Sequence, residues 1–125
     1  MTTEEDTVTI STPTFSIDQL RDAVRGRVIT PDDADYDAAR TILYQGPETR
    51  PAAIVRVADA ADVSTVVSIA RDTGTELAVR SGGHSAAGHS STDGGIVIDL
   101  RDLDSLDLDV AGRTAWAGSG LTAGE

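Results

Sequence analysis

The chain has 125 residues, enough for one ordinary domain with a single core but too few for two. Its 21 acidic side chains, 16 of them Asp, outnumber ten basic side chains that are all Arg, which gives a formal net charge of −11. Nucleic acid is therefore a poor partner, because phosphate binding needs clustered cationic side chains. The lack of Cys excludes disulfides and Cys-ligated metal sites.

The composition also bears on the environment of the protein. An acidic, lysine-free chain rich in Ala, Val and Thr resembles the proteins of salt-loving organisms, and an ordinary acidic bacterial protein is the alternative. Dense carboxylates repel one another in dilute buffer, whereas 1 M salt screens charges beyond about 3 Å. No apolar run approaches the ~20 residues that cross a bilayer, and the N-terminus lacks a signal-peptide pattern. We therefore expect a cytoplasmic protein without a membrane partner.

The beginning of the chain predicts a leader followed by a helix. Residues 1–14 are polar and charged with little to bury, so we expect them to be a disordered leader. From Ser16, a predicted N-cap, apolar residues recur at helical spacing until Gly26 ends the pattern.

A second helix is predicted after a short extended piece at 28–31. Asp32 or Asp33 is expected to cap it, and it is expected to run to residue 44. Two prolines and a glycine then follow, which is typical of a connecting turn. The sequence thus predicts a helical segment at 15–49 with a boundary near residue 50.

After this boundary the pattern predicts a strand, a helix and a second strand. A β-branched strand at 52–57 is followed by a helix that begins near Asp59 and ends at Gly74, and the second strand lies at 76–79. This order implies a parallel pair with a right-handed crossover. Ligands of such folds bind beyond the carboxyl ends of the strands.

Three further strands are predicted at 95–100, 106–110 and 113–117. Asp99, at the end of the first of these, is expected to form a turn or a cap. Trp116, the one indole of the chain, is expected to pack in the core. A second glycine-rich turn at 118–124 follows, and a chain that stops directly after a turn leads us to expect a truncated product.

The strand at 76–79 is followed by the glycine-rich loop RSGGHSAAGH at 80–89. Glycine permits positive φ and lets a ligand approach bare amides, so successive N–H groups can converge on an anion such as a pyrophosphate. A Walker loop is excluded because the chain has no Lys. The dinucleotide fingerprint Gly-x-Gly-x-x-Gly is excluded because the turn at 118–124 has one spacer too many.

Several motifs in the second half match one family in order and in spacing. They are 51–57 with 61–63, 79–85 with Gly88 and Ser90, 98–100, and 116–120 with Gly124 and Glu125. Together they resemble the N-terminal flavin-binding domain of the vanillyl-alcohol oxidase and p-cresol methylhydroxylase (PCMH) flavoproteins. The most similar branch is that of the berberine-bridge-enzyme-like oxidases.

The resemblance implies an α+β fold, with a mixed sheet and helices forming the first half of a PCMH-type FAD-binding domain over residues 50–125. It implies that the loop matching 81–85 wraps the FAD pyrophosphate with backbone amides, and that His84 bonds covalently to the 8α-methyl of the flavin. The turn at 118–124 would line the cofactor. The implied cofactor-binding positions are Arg80, Ser81, Gly82, Gly83, His84, Ser85, Gly88, Gly118, Gly120 and Gly124.

The implied function is that of an FAD-linked oxidase, with hydride transfer from a small-molecule substrate to flavin N5 and reoxidation by O2. Family segments that bind substrate and supply a base match nothing up to residue 125, so no catalytic residue is assigned. The alternatives are a non-catalytic fragment that does not bind FAD, and FAD held without a covalent bond.

Other roles for single residues stay open. His84 is a structural histidine in one alternative, and Arg80 can pair with a phosphate or with a carboxylate. His89 is assigned no role, and a metal site at His84 and His89 is disfavoured because no third ligand lies nearby in the sequence.

Overall fold

The computed structural model describes residues 15–42 and 49–125, so the predicted leader and residues 43–48 lie outside the described residues. The elements in chain order are α1 (Ile17–Ala23), β1 (Arg27–Ile29), α2 (Tyr36–Arg40), β2 (Ala53–Arg56), α3 (Ala60–Thr73), β3 (Leu77–Arg80), β4 (Ile96–Asp99), β5 (Leu106–Asp109) and β6 (Thr114–Ala117). Among the described residues no helix is both long enough and apolar enough to cross a membrane.

Four strands form a mixed sheet in the order β1-β2-β4-β3, and β5 and β6 form a separate antiparallel pair. In the larger sheet β1 is antiparallel to β2, whereas β2 and β3 both run parallel to β4. The mixed sheet with helices confirms the predicted fold class. The predicted pairing of β2 with β3 is wrong, because β4 lies between them. All four β4 residues are buried, and a strand that is apolar on both faces is most stable at the centre of a sheet.

The register brings the carboxyl ends of three strands together. Asp99 at the end of β4 lies opposite Arg56 at the end of β2 and Arg80 at the end of β3. The loop that follows β3 therefore leaves the sheet at the edge where ligands of parallel sheets bind.

The segment before residue 50 packs with the segment after it. Leu20 and Val24 share one apolar cluster with Val55 of β2, and Tyr36 shares a second cluster with Ile54. The Tyr36 hydroxyl also donates a hydrogen bond to the carbonyl of Pro51 at 2.6 Å. The turn near residue 50 therefore joins two parts of one packed structure.

The predicted ends of α1 and α3 are confirmed. The Ser16 side chain accepts a hydrogen bond at the start of α1, the Asp59 side chain does so at the start of α3, and Gly74 ends α3 at a left-handed φ of 63°. The predicted cap of α2 is wrong. The Asp33 carboxylate accepts from the backbone N–H of Thr30 instead. Asp35 occupies the cap position, but its carboxylate accepts from Arg27 Nη2 at 2.8 Å and from no backbone N–H of the helix.

The expectation that Trp116 packs in the core is also wrong, because its side chain is 84% exposed. Every residue of β5 and β6 is exposed. A two-stranded sheet buries an indole only when a second layer covers it, and the part of the chain that the structure describes supplies no such layer. Trp116 stands on the same face of the hairpin as Asp107, its cross-strand partner.

A buried carboxylate connects the turn that follows α1 with the turn that precedes α3. Asp62, near the start of α3, is only 2% exposed and accepts from three backbone N–H groups, those of Arg25 at 2.8 Å, Gly26 at 2.8 Å and Ala58 at 2.9 Å. Burial raises the pKa of the Asp62 carboxyl, but the three donors and the Arg25 charge outweigh it, so the pKa lies below its ordinary value.

Asp62→Asn leaves a single amide oxygen for the three donors. We expect the free energy of unfolding at pH 7, measured with urea, to fall by about 2 kcal/mol. Because the pKa of Asp62 is lower in the folded than in the unfolded state, its contribution is complete above pH ~4 and is lost as the pH falls through the folded value. The variant should therefore lose less stability than the wild type on acidification.

Asp22→Asn is the matched control, because Asp22 is exposed on α1 and the change in charge is the same. We expect its unfolding free energy to stay within about 0.5 kcal/mol of the wild type. Equal losses in the two variants would contradict the role assigned to Asp62.

Candidate functional site

The first glycine loop begins where β3 ends, at the carboxyl edge of the sheet. Gly83 and Gly88 have φ angles of +70° and +82°, which only glycine adopts readily. A Cβ built on Gly83 lies 3.4 Å from side-chain atoms of Ile42, so the loop passes directly over the end of the segment that follows α2. Glycine at position 83 is thus required by its conformation, and the close approach to Ile42 adds to that requirement.

The backbone of this loop offers unused hydrogen-bond donors. The N–H groups of residues 82–85 donate to no other group among the described residues. The turn that follows is closed internally, because the Gly88 N–H donates to the Ser85 carbonyl and the His89 N–H donates to the Ser85 hydroxyl. The unused amides therefore precede the turn, and an anion is the ligand that N–H groups prefer where they converge.

The second glycine-rich turn faces the first loop across a groove of about 250 Å³. Ser81, Gly82 and His84 line one side of it, and residues 120–123 line the other. The sequence pattern pointed to the glycines of the second turn but not to the side chains between them. Because β6 belongs to a separate sheet, no local signal in the sequence indicates that residues 121–123 face His84.

The His84 imidazole is exposed and lines the groove. A Cβ built on Gly82 would lie 2.8 Å from Cδ2 of that ring, which is closer than packed carbon atoms come. Glycine at position 82 therefore leaves room for the imidazole to fold back over the backbone. The His84 side chain and the backbone of Gly82 thus border the same space.

Gly118 and Gly120 have a packing role that needs no ligand. A Cβ on Gly118 would lie 2.0 Å from the Leu103 carbonyl oxygen, and one on Gly120 would lie 2.1 Å from the Leu100 carbonyl oxygen. Nothing lies within 4 Å of a Cβ on Gly124. That these three glycines also contact a cofactor stays a prediction.

The Arg80 side chain is directed toward the protein. Its Nη1 donates to the backbone carbonyl of Ala39 in α2, and its Nε is buried without a partner among the described residues. Burial lowers the pKa of Arg80, while the charge of Asp99 opposes that shift. No carboxylate of the described residues forms an ion pair with it. Arg80 thus holds the end of β3 against α2, and contact with a phosphate stays a prediction.

Asp99 forms a turn, as the sequence predicted. It is fully buried, and its Oδ1 accepts from the backbone N–H of Arg101 at 3.0 Å. The Arg101 guanidinium adds an ion pair at 3.1 Å. Among the described residues no group of three or more His, Asp or Glu side chains is placed to bind a metal ion.

Comparison with known proteins agrees with this geometry. The family model described as an FAD binding domain matches residues 51–125, which include both glycine loops. The chain belongs to the PCMH-type FAD-linked oxidases, in their berberine-bridge-enzyme-like branch. The resemblance inferred from the sequence is confirmed, and the relatives are named as FAD-linked oxidases or oxidoreductases.

Three relatives show the extent of the similarity. (R)-6-hydroxynicotine oxidase of Paenarthrobacter nicotinovorans is 43% identical over 103 residues, which are 82% of this chain and 22% of that protein. The crystal structure of 6-hydroxy-D-nicotine oxidase from Arthrobacter nicotinovorans superposes with a TM-score of 0.75 at 44% identity, over 81% of this chain and 22% of that one. The structure of the berberine-bridge-enzyme-like protein 1 of Physcomitrella patens gives a TM-score of 0.75 at 29% identity, over 84% of this chain and 23% of that one.

These figures also limit what the similarity covers. The chain spans about a fifth of the length of the curated relatives that it matches. The shared part contains the glycine loops and the sheet that supports them.

The role of Arg80 can be tested by removing its hydrogen-bonding capacity and comparing the result with the same substitution at an exposed arginine. Arg80→Met keeps an unbranched side chain but has no donor for the Ala39 carbonyl, and we expect the free energy of unfolding to fall by about 1 to 2 kcal/mol. Arg80→Lys retains a donor and should recover part of this loss. Urea unfolding of the two variants measures the difference.

Arg71→Met is the control, because Arg71 is exposed on α3 and, among the described residues, pairs only with its exposed neighbour Asp72. We expect a change within about 0.5 kcal/mol. If Arg80→Met were as stable as this control, the contact with Ala39 would not support the loop.

Proposed function

We propose that this chain binds FAD as the cofactor-holding part of an FAD-dependent oxidase, and that His84 bonds covalently to the flavin. The observation that carries the proposal is the groove between the two glycine loops, where Gly82 and His84, whose backbone amides are unused, lie beside the exposed His84 imidazole. Backbone amides bind the oxygens of a pyrophosphate, and an imidazole nitrogen bonds to an electrophilic carbon. One groove can therefore hold both the pyrophosphate and the flavin ring of the same cofactor.

The residues present fit the cofactor. The N–H groups at 82–85 provide donors without introducing formal charge, and the bare, exposed backbone at Gly82 allows close approach of phosphate oxygens. The groove of about 250 Å³ is smaller than the roughly 300–1,000 Å³ of complete ligand pockets. It therefore suits one section of a dinucleotide rather than the whole molecule.

The two loops are proposed to divide the cofactor between them. The first loop holds the pyrophosphate through the backbone of Ser81, Gly82, Gly83 and Ser85, with Gly88 closing the turn behind it. The second turn lines the cofactor from the other side through Gly118, Gly120 and Gly124. A neutral imidazole nitrogen of His84 would hold the flavin through a C–N bond to its 8α-methyl carbon, which fixes the ring beside the groove. Forming this bond breaks one methyl C–H bond and the imidazole N–H bond, the two hydrogens reduce the flavin, and O2 would reoxidise it with release of H2O2.

When bound, FAD supplies a two-electron acceptor that takes hydride at N5 from a small-molecule substrate, with reoxidation by O2. In this scheme the residues of the chain bind and orient the cofactor and supply no acid or base. One relative is named for oxidation of (R)-6-hydroxynicotine, and a small organic substrate is the class proposed here. A cytoplasmic location and adaptation to concentrated salt stay predictions from the composition.

Acid precipitation tests the covalent bond. After incubation with FAD in air, we expect the wild-type pellet to remain yellow and to retain close to one flavin per chain. We expect His84→Ala to release all of its flavin into the supernatant, because the attachment point is gone. Absorbance of the pellet, redissolved in denaturant, gives the measurement.

His89→Ala is the matched control, since this second histidine of the same loop is also exposed, and its pellet should stay yellow. Flavin that leaves the wild-type pellet after binding would show non-covalent FAD. A wild-type chain that takes up no flavin at all would favour the alternative of a non-catalytic fragment.

A further inference from the structure

A hydrogen bond joins the two glycine loops directly. The Ser81 hydroxyl lies 2.5 Å from the backbone carbonyl oxygen of Ser119, 38 positions further along the chain. Ser81 belongs to the loop that follows β3, and Ser119 belongs to the turn that follows β6. These two residues therefore connect the four-stranded sheet to the hairpin at the mouth of the groove.

This contact determines what the Ser81 side chain can offer to a ligand. A serine hydroxyl has one proton to donate, and the Ser119 carbonyl can only accept it. The hydroxyl then presents only lone pairs to its surroundings, and a phosphate needs donors. The side chain of Ser81 is thus committed to the protein, whereas the amides of residues 82–85 remain unused.

Few other hydrogen bonds connect the second turn to the rest of the described structure. The N–H of Gly118 donates to the Ser105 carbonyl and the N–H of Gly120 donates to the Leu103 carbonyl, so both bonds lead back to the segment that precedes β5. Among the described residues no further hydrogen bond joins this turn to the first loop. In the part of the chain that the structure describes, the bond between Ser81 and Ser119 is therefore the one direct hydrogen bond between the two walls of the groove.

We infer that Ser81 is a positioning residue whose hydroxyl latches the two glycine loops together and sets the width of the groove. The inference deepens the proposed FAD site and rests on it for the effect on flavin retention. The effect of the Ser81 hydroxyl on the contact between the two loops does not require FAD and is measured on the unliganded chain. The effect on the loops and the effect on flavin retention can therefore be tested separately.

The test compares Ser81→Ala, which removes the hydroxyl, with Ser81→Thr, which keeps it. Amide hydrogen exchange of the unliganded 125-residue chain is followed by NMR at Gly120 and Leu121, whose N–H groups are hydrogen-bonded to Leu103 and Gly118. We expect exchange at both amides to be about threefold to tenfold faster in Ser81→Ala, as loss of one hydrogen bond predicts. Ser81→Thr should restore the wild-type rates.

Two further readouts accompany this measurement. The amide of Val57, which donates to the Asp99 carbonyl at the end of the four-stranded sheet, serves as an internal control, and its exchange rate should not change. The release of reversibly bound FAD is followed by flavin fluorescence in a His84→Ala background, where no covalent bond can hold it. We expect Ser81→Ala to release FAD faster by a similar factor and Ser81→Thr to match its parent.

The outcomes distinguish the two claims. Faster exchange at Gly120 and Leu121 with rescue by Thr supports the latch, even if the chain binds no FAD and the proposed function fails. Unchanged exchange in Ser81→Ala overturns the latch. If FAD is then still lost faster, Ser81 is a direct ligand of the cofactor. Equal acceleration of amide exchange at Val57 also overturns the latch, because the substitution would then have loosened the whole fold.

Discussion

The site depends on the parallel pairing of β4 with both of its neighbours. This pairing aligns Arg56, Asp99 and Arg80 at one edge of the sheet, and the Leu100 N–H continues it by donating to the Arg80 carbonyl at 2.9 Å. Because β4 is buried on both faces, a shift in its register would disturb the packing on both faces and is disfavoured. The start of the glycine loop is thereby fixed by the core of the protein.

Within the loop, side chains and backbone have separate tasks. The Arg80 guanidinium contacts α2, and the Ser81 hydroxyl contacts the second turn. The backbone from 82 to 85 keeps its donors unused. In the proposed site, this division would allow an acidic chain, with a formal charge of −11, to bind an anion through neutral amides. The N-terminal segment contributes as well, because Ala39 and Ile42 contact the loop although the family model begins at residue 51.

The sequence predicted what depends on local chemistry. The caps at Ser16, Asp59 and Gly74 follow from the preferences of single residues, and the strands follow from short apolar runs. The features that the sequence did not predict depend on long-range contacts. The position of β4 between β2 and β3 depends on pairing between distant segments, and the exposure of Trp116 depends on whether another layer covers the hairpin. The contact between Ser81 and Ser119 likewise joins two sheets that no local pattern relates.

The central claim is that the bare amides of the first loop bind a diphosphate, and amide chemical shifts measure this directly. In a titration of the unliganded chain with inorganic pyrophosphate and then with FAD, we expect the largest NMR shift changes at residues 82–85 with both ligands. The amides of β2 should change little. Shift changes confined to other parts of the surface, with residues 82–85 unaffected by either ligand, would contradict the account.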